Sequence, residues 1–125
     1  MMQRNCFIDK NGNVWKENNL IKHSKHLPII QFRIASISLD EAIRWSIINL
    51  RDYVAHFKRV QEADIKIPII LRSDFYPVDG WHRIIKALSI GMEYLPARKF
   101  KIDPEPDFKV DENDRQQNTY SQFKS

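Results

Sequence analysis

The spacing of apolar and polar residues predicts two helices and several short strands in the first hundred residues. In residues 38–64, apolar residues recur at steps of three and four: Ile43, Ile47, Leu50, Val54 and Phe57. This is the period of an α-helix with one apolar face. Ser38 and Glu41 have the spacing of a capping box, which predicts that the helix begins at Ser38. We expect its apolar face to be buried, because a stripe of this length needs a core to cover.

The remaining apolar segments are shorter and typical of strands. Four of them are bounded by turn residues or prolines: residues 27–37, 68–71, 76–78 and 94–100. Nearer the start, the Asn11-Gly12 pair between two apolar dipeptides indicates a hairpin turn. A second helix is predicted to begin near Asp79 or Gly80 and to end at Gly91. The expected fold is therefore a small α+β (mixed α/β) domain, in which a short mixed sheet packs against a long helix and a shorter one.

Composition and charge narrow the class of protein. The 125 residues are 42% hydrophobic and 29% charged, as in an ordinary folded domain. We expect a single domain over residues 1–103 and a polar, flexible tail over 104–125, which has two prolines and few apolar anchors. The start has neither the apolar core nor the cleavage site of a signal peptide, and no segment is long enough to cross a membrane, so a cytoplasmic location without a membrane partner is expected.

The charge is unevenly distributed along the chain. Residues 1–100 carry 16 Lys and Arg against 10 Asp and Glu, whereas residues 101–125 carry 4 against 6. A basic body is compatible with phosphate-bearing partners such as nucleotides or nucleic acid.

The candidate chemistry lies in the pentapeptide DGWHR, residues 79–83. His82 and Arg83 stand at the predicted start of a helix, the end at which the helix dipole disfavours cations but favours bound anions. Gly80 allows the backbone to approach an anion closely, Arg83 can grip it with two hydrogen bonds, and His82 can donate to it or shuttle a proton. Asp79 can serve as a helix cap, a general base or an indirect metal ligand.

A purely structural interpretation of the same residues stays open. In it, Asp79 caps the helix, while His82 and Arg83 point into solvent and Arg83 pairs with Asp74 or Glu93. Exposed cations in a first turn cost only a few tenths of a kcal/mol, so the physical chemistry alone leaves the two interpretations about equal.

Residues 68–98 resemble the ParB/sulfiredoxin superfamily. The matching elements are the apolar strand PIIL, the segment YPVDGWHRIIKA, Gly91 and the closing strand LPAR. The resemblance implies that the loop and helix start bind nucleotide phosphates, a role that falls on Gly80, His82 and Arg83, with Asp79 as the acid before the glycine. Sulfiredoxins have their catalytic cysteine where this chain has Trp81, so repair of peroxiredoxins is not expected; Trp81 fits a core or rim position, or stacking on a base.

Two branches of the superfamily set the alternatives. Partition proteins of the ParB type carry a G-E-R-R signature and a DNA-binding helix-turn-helix. This chain lacks the signature, and the residues after position 100 are too few for a helix-turn-helix. The loop is closer to stand-alone D-G-x-H-R proteins, which include free-serine kinases that use a nucleoside phosphate. Their activity depends on a further acid outside the loop, which the sequence alone does not identify.

The sequence therefore predicts binding of ATP, another nucleotide or another phosphate ligand, with or without Mg²⁺. Gly80, His82 and Arg83 are the binding residues, and Asp79 and His82 are the candidates for phosphoryl transfer or hydrolysis. No direct metal-ligand cluster is predicted. The alternatives are an accessory protein of a mobile element that binds DNA through backbone phosphates, and a non-catalytic interaction module.

Overall fold

A computed structural model describes residues 6–41 and 47–110. Seven strands occur in chain order: β1 (Cys6–Ile8), β2 (Asn13–Lys16), β3 (Ile29–Arg33), β4 (Ile69–Leu71), β5 (Pro77–Asp79), β6 (Tyr94–Lys99) and β7 (Phe108–Lys109). Three α-helices accompany them: α1 (Glu17–Ser24), α2 (Leu50–Glu62) and α3 (Trp81–Ser89). The two sheets and three helices form a small mixed α+β domain, which confirms the predicted fold class.

The larger sheet has the strand order β3-β6-β4-β5. β4 and β6 are parallel, whereas the two outer pairs are antiparallel, so the sheet is mixed as predicted. The predicted strand at 27–37 is shorter than expected, because β3 ends where β6 begins, at the Arg33–Tyr94 pair. The chain then turns through a 3₁₀ helix, Ile34–Ser36, with the Ile34 N–H donating to the Glu93 carbonyl.

One face of this sheet forms the main core with α3. Its buried residues come from β3, β4, β6, α3 and the 3₁₀ helix: Phe32, Ile34, Ile69, Leu71, Ile84, Ala87, Leu95 and Ala97. A second cluster on the other side joins β2 and α1 to the sheet: Trp15, Leu20, Ile70 and Phe100. β4 is buried at all three positions and contributes to both clusters, so it is the central strand that joins the two halves of the core.

The smaller sheet, in the order β1-β2-β7, contains the predicted hairpin. The Asp9 carboxylate accepts hydrogen bonds from the N–H groups of Asn11 and Asn13, both at 2.9 Å, and Gly12 has a φ of +85°. These contacts confirm the Asn11-Gly12 turn.

The domain extends beyond the boundary expected at residue 103. The Trp15 indole N–H donates to the Pro104 carbonyl at 2.7 Å, and the Asp107 carboxylate accepts from the Lys16 N–H, also at 2.7 Å. β7 then pairs with β2. Residues 104–110 are thus part of the folded domain, because hydrogen bonds and one indole anchor replace the apolar contacts that this segment lacks. Residues 111–125 lie outside the described residues.

The predicted long helix begins later than expected. Residues 38–41 form a turn in which the Glu41 N–H donates to the Ser38 carbonyl, so the predicted capping box does not start a helix there. α2 begins at Leu50 instead, and the Asn49 side chain caps it by accepting a hydrogen bond from the Asp52 N–H at 3.0 Å. Residues 42–46, which include Ile43, lie outside the described residues.

The predicted burial of the apolar face is also wrong. Leu50, Val54 and Phe57 are all more than half exposed, and the buried residue of α2 is His56. Periodicity identifies the residues that share a helix face, but it does not decide which face the rest of the chain covers. Of the helices described, none is long and apolar enough to cross a membrane.

Candidate functional site

The DGWHR turn joins the edge strand of the main sheet to α3. β5 ends at Asp79, Gly80 adopts the left-handed conformation with φ +110°, and α3 starts at Trp81. The first N–H to donate within the helix is that of Ile84, to the Gly80 carbonyl at 3.0 Å. The N–H groups of residues 81–83 precede it and have no acceptor inside the helix, so they and the dipole make this end suited to an anion.

Arg83 is held inside the protein. Its guanidinium donates to the Asp79 carboxylate at 2.9 Å and to the carbonyls of Pro68 and Ile67 at 2.7 Å and 3.0 Å. The Arg83 and Asp79 side chains are only 15% and 11% exposed. Arg83 therefore points neither into solvent nor towards Asp74 or Glu93; it ties the loop to the residues that precede β4 and offsets the charge of Asp79.

Asp79 has a second carboxyl group beside it. Glu17, the first residue of α1, forms a side-chain hydrogen bond with Asp79, and burial together with this bond and the charge of Asp79 raises the pKa of Glu17 to about 7. Arg83 and Arg59 oppose the increase, as does the position at a helix N-terminus, but burial is the largest effect. Glu17 therefore exchanges a proton near neutral pH, beside the carboxyl group of Asp79.

His82 meets a second histidine rather than solvent. Its Nε2 lies 3.0 Å from Nδ1 of His56, and the two rings are nearly parallel with centroids 5.2 Å apart. Burial, with smaller effects from the charges of His56, Arg59 and Arg83, lowers the pKa of His82 to about 4. His82 is thus neutral at pH 7, with one ring nitrogen able to donate and the other able to accept.

The structure brings the predicted residues together and adds three that sequence reasoning missed. Asp79 and Arg83 are in direct contact, and His82 lies on the same turn. The missed residues come from α1 and α2: Glu17, His56 and Arg59. The only sequence signal for Glu17 is an acid at a helix start, and α1 was not predicted because its stretch is mostly polar. His56 has no sequence signal, because it lies off the apolar spacing of the long helix, yet it is buried.

Trp81 has the core or rim position that the sequence allowed. It packs against the main core and makes an edge-on contact with Tyr76, their ring centroids 6.0 Å apart. On its other side an open cleft of about 680 Å³ separates the β4–β5 turn from β3 and the 3₁₀ helix. Polar groups along the cleft include Arg33, Ser36 and Glu41. Its volume is within the range of small-molecule sites.

The arrangement suits a phosphate ligand better than a bare metal ion. Over residues 6–41 and 47–110, no group of three His, Cys, Asp or Glu side chains is placed to hold a metal. Mg²⁺ in phosphoryl-transfer sites needs less from the protein, because one or two carboxylates and the phosphate oxygens supply its ligands. Glu17 and Asp79 fit that requirement.

Replacing Glu17 with Gln is expected to change how stability depends on pH. Between pH 4.5 and about 7 the folded chain holds a proton on Glu17 that the unfolded chain releases. The stability that Glu17 contributes is therefore present at low pH and is lost as the pH rises through the pKa of the folded state. His82 acts oppositely: with a folded pKa of about 4, its contribution is lost as the pH falls from 6.5 to 4. In Glu17→Gln only the second effect remains. We therefore expect the urea midpoint of the variant to increase relative to that of the wild type as the pH is raised from 5 to 8.

Glu105→Gln is the matched control, because Glu105 is exposed and far from the carboxyl pair in sequence. Its urea midpoints should run parallel to those of the wild type at every pH. If Glu17→Gln also runs parallel, folding does not raise the pKa of Glu17.

Comparison of the chain with protein-family models, with curated proteins and with solved structures finds no match.

Proposed function

We propose that this protein binds a nucleotide such as ATP, or another phosphate-bearing small molecule, at the first turn of α3 and transfers or hydrolyses its phosphoryl group. The observation that carries the proposal is the Glu17–Asp79 carboxyl pair, next to a helix start suited to anions. A carboxyl group with a pKa of about 7 is matched to general acid–base work at neutral pH.

The residues divide the work between binding and proton transfer. The N–H groups of residues 81–83 and the neutral ring of His82 donate to phosphate oxygens. Arg83 keeps Asp79 and the loop in place through its three protein contacts. Glu17, in its ionised form, accepts the proton of the attacking hydroxyl or water, which is the general-base step that phosphoryl transfer requires. Asp79 and the phosphate oxygens would hold any Mg²⁺ that the reaction uses, and the ion would neutralise phosphate charge while Glu17 acts as the base.

The resemblance to the ParB/sulfiredoxin superfamily supports the same assignment. Its stand-alone D-G-x-H-R branch needs an acid outside the loop, and Glu17 is our proposal for that acid. The cleft beside Trp81 offers space for the rest of the ligand. A cytoplasmic location, expected from the sequence, would give the site access to nucleotides.

Calorimetric titration of the full chain with ATP, ADP, CTP, GTP and inorganic phosphate, with and without Mg²⁺, tests the proposal. We expect saturable binding of at least one ligand and binding at least about tenfold weaker by His82→Ala, because a hydrogen bond to a charged group contributes roughly 1.5–3 kcal/mol. Glu17→Gln should keep the binding and lose phosphate release, because it removes the base and leaves the helix start intact.

His26→Ala is the matched control, since His26 is exposed and outside the site. Its binding should equal that of the wild type, and circular dichroism should show that all three variants are folded. Absence of binding to every ligand would refute the proposal, as would unchanged affinity in His82→Ala. If the protein instead binds duplex DNA with steep salt dependence, the expected DNA-associated role takes its place.

A further inference from the structure

His56 is a buried polar residue of α2 that contacts the candidate site. It is only 7% exposed, and its Nδ1 lies 3.0 Å from Nε2 of His82 in the first turn of α3. Burying a polar ring costs free energy unless the ring is hydrogen-bonded, so this contact helps to keep His56 in place. The steps proposed above use His82 and give His56 no role.

The two rings meet edge to edge, almost along a straight line. Their planes differ by only 8°, and their centroids are 5.2 Å apart. This centroid distance is close to the largest that two imidazole rings joined by a 3.0 Å contact between nitrogens can have, so both nitrogens lie near the line between the centroids. The geometry is that of a straight N–H···N hydrogen bond, in which one nitrogen donates and the other accepts.

The direction of this hydrogen bond decides what His82 can offer to a ligand. A neutral histidine has one N–H and one bare nitrogen. If Nε2 of His82 donates to His56, Nδ1 of His82 is bare, and its lone pair repels phosphate oxygens. If His56 donates instead, the proton of His82 is on Nδ1. Only this second arrangement lets a neutral His82 both keep its contact with His56 and donate to phosphate.

The charges around the pair favour His56 as the donor. Burial lowers the pKa of His82 to about 4, and the charges of His56, Arg59 and Arg83 lower it further. A proton that the pair takes up therefore resides on His56 rather than on His82. A charged histidine carries a proton on both nitrogens and can only donate. In that state Nε2 of His82 accepts, and the single proton of His82 is on Nδ1.

We propose that His56 is a positioning residue: its Nδ1–H donates to Nε2 of His82 and so keeps the proton of His82 on Nδ1, where it binds a phosphate oxygen of the ligand. The inference rests on the proposed function, in which His82 donates to phosphate. His56 acts through His82, without touching the ligand itself. A donor that is fixed before the ligand arrives needs no rearrangement during binding.

Nitrogen NMR of the full chain with isotopically labelled histidine tests the direction of the bond without depending on a ligand. Protonated and bare ring nitrogens have well-separated chemical shifts, and the variants His82→Ala and His56→Asn assign the signals. At pH 7 we expect a proton on Nδ1 of both rings and a bare Nε2 in His82, in the free protein and with inorganic phosphate added. A proton on Nε2 of His82 in either sample overturns the inference.

Calorimetric titration of His56 variants with ATP and inorganic phosphate tests the effect on binding. His56→Leu cannot donate, and we expect binding at least about fivefold weaker, because the hydrogen bond from His82 to a charged group is lost. His56→Asn should bind nearly as well as the wild type, since the Asn amide can donate from close to the position of Nδ1. A role in packing alone predicts the opposite order, because Leu fills a buried site better than Asn. Gln61→Leu is the matched control: Gln61 is exposed on the same helix, and its replacement should leave the affinity unchanged.

The double variant His56→Leu/His82→Ala separates an effect through His82 from a direct one. It should bind no more weakly than His82→Ala, because His56 acts only on His82. Circular dichroism checks the fold of each variant. A further loss in the double variant, or unchanged affinity in His56→Leu, overturns the inference and leaves the proposed function standing. A wild type that binds neither nucleotides nor inorganic phosphate refutes the proposed function, and the phosphate contact of His82 with it.

Discussion

Replacing Gly80 with Ala is expected to lower the free energy of unfolding by on the order of 3 kcal/mol. Gly80 has a φ of +110°, where any side chain is strained. An added Cβ would lie 2.5 Å from Cγ2 and 2.8 Å from Cβ of Ile69, far inside contact distance. Ile69 cannot move aside because it is completely buried in the central strand β4. Backbone strain and overpacking therefore add, and urea unfolding measures the sum.

Gly91→Ala is the control that separates the two effects. Gly91 also has a positive φ, of +76°, but nothing lies within 4 Å of an added Cβ. We expect a loss of about 1 kcal/mol from the backbone conformation alone. Equal losses at Gly80 and Gly91 would show that the β5–α3 turn is not packed tightly against Ile69.

Replacing Arg83 with Met is expected to destabilise the fold by about 3–5 kcal/mol, the usual result of removing one partner of a buried ion pair. Met keeps much of the side-chain volume but leaves the Asp79 carboxylate buried without its cation. The carbonyls of Pro68 and Ile67 lose their donor at the same time. Both side chains of the pair are largely shielded from solvent, so water compensates little. Urea unfolding at pH 7 gives the value.

Arg72→Met is the control, because Arg72 makes a more exposed ion pair, with Asp74, at the same 2.9 Å. That pair is 27% and 59% exposed, so its loss should cost less than about 1 kcal/mol. The double variant Arg83→Met/Asp79→Leu should recover part of the stability lost in Arg83→Met, because it removes the unpaired charge as well. If Arg83→Met costs no more than Arg72→Met, the buried pair does not hold the loop.

The structural role of Arg83 affects how ligand binding is tested. An Arg83 variant that fails to bind nucleotide would not distinguish a lost phosphate contact from a displaced loop. His82→Ala and Glu17→Gln are better probes, because both leave the hydrogen bonds from Arg83 to residues 67 and 68 in place. Arg83 as a direct phosphate ligand stays a prediction, and its present partners mean that an anion would have to compete with Asp79.

The sequence by itself determined the elements that depend on neighbouring residues. Asn11-Gly12 specified a hairpin because Gly12 accepts a positive φ, and Gly80 marked the start of α3 for the same reason. β4, β5 and β6 were predicted from short apolar runs between turn residues, and the structure confirms them. At the two glycines the decisive interaction spans only a few residues, so the local sequence is sufficient; the strands were visible as apolar runs, although their pairing is long-range.

Only the tertiary structure decided which surfaces are buried and which side chains meet. The apolar period of α2 was visible in the sequence, but the domain covers the side with His56 and leaves Leu50, Val54 and Phe57 exposed. Glu17 and Asp79 are 62 positions apart and meet because β5 ends beside the start of α1. The carboxyl pair and the shifted pKa of His82 arise from burial and from charges on separate elements. Neither has a local signal, since desolvation and pairing exist only after the chain has folded.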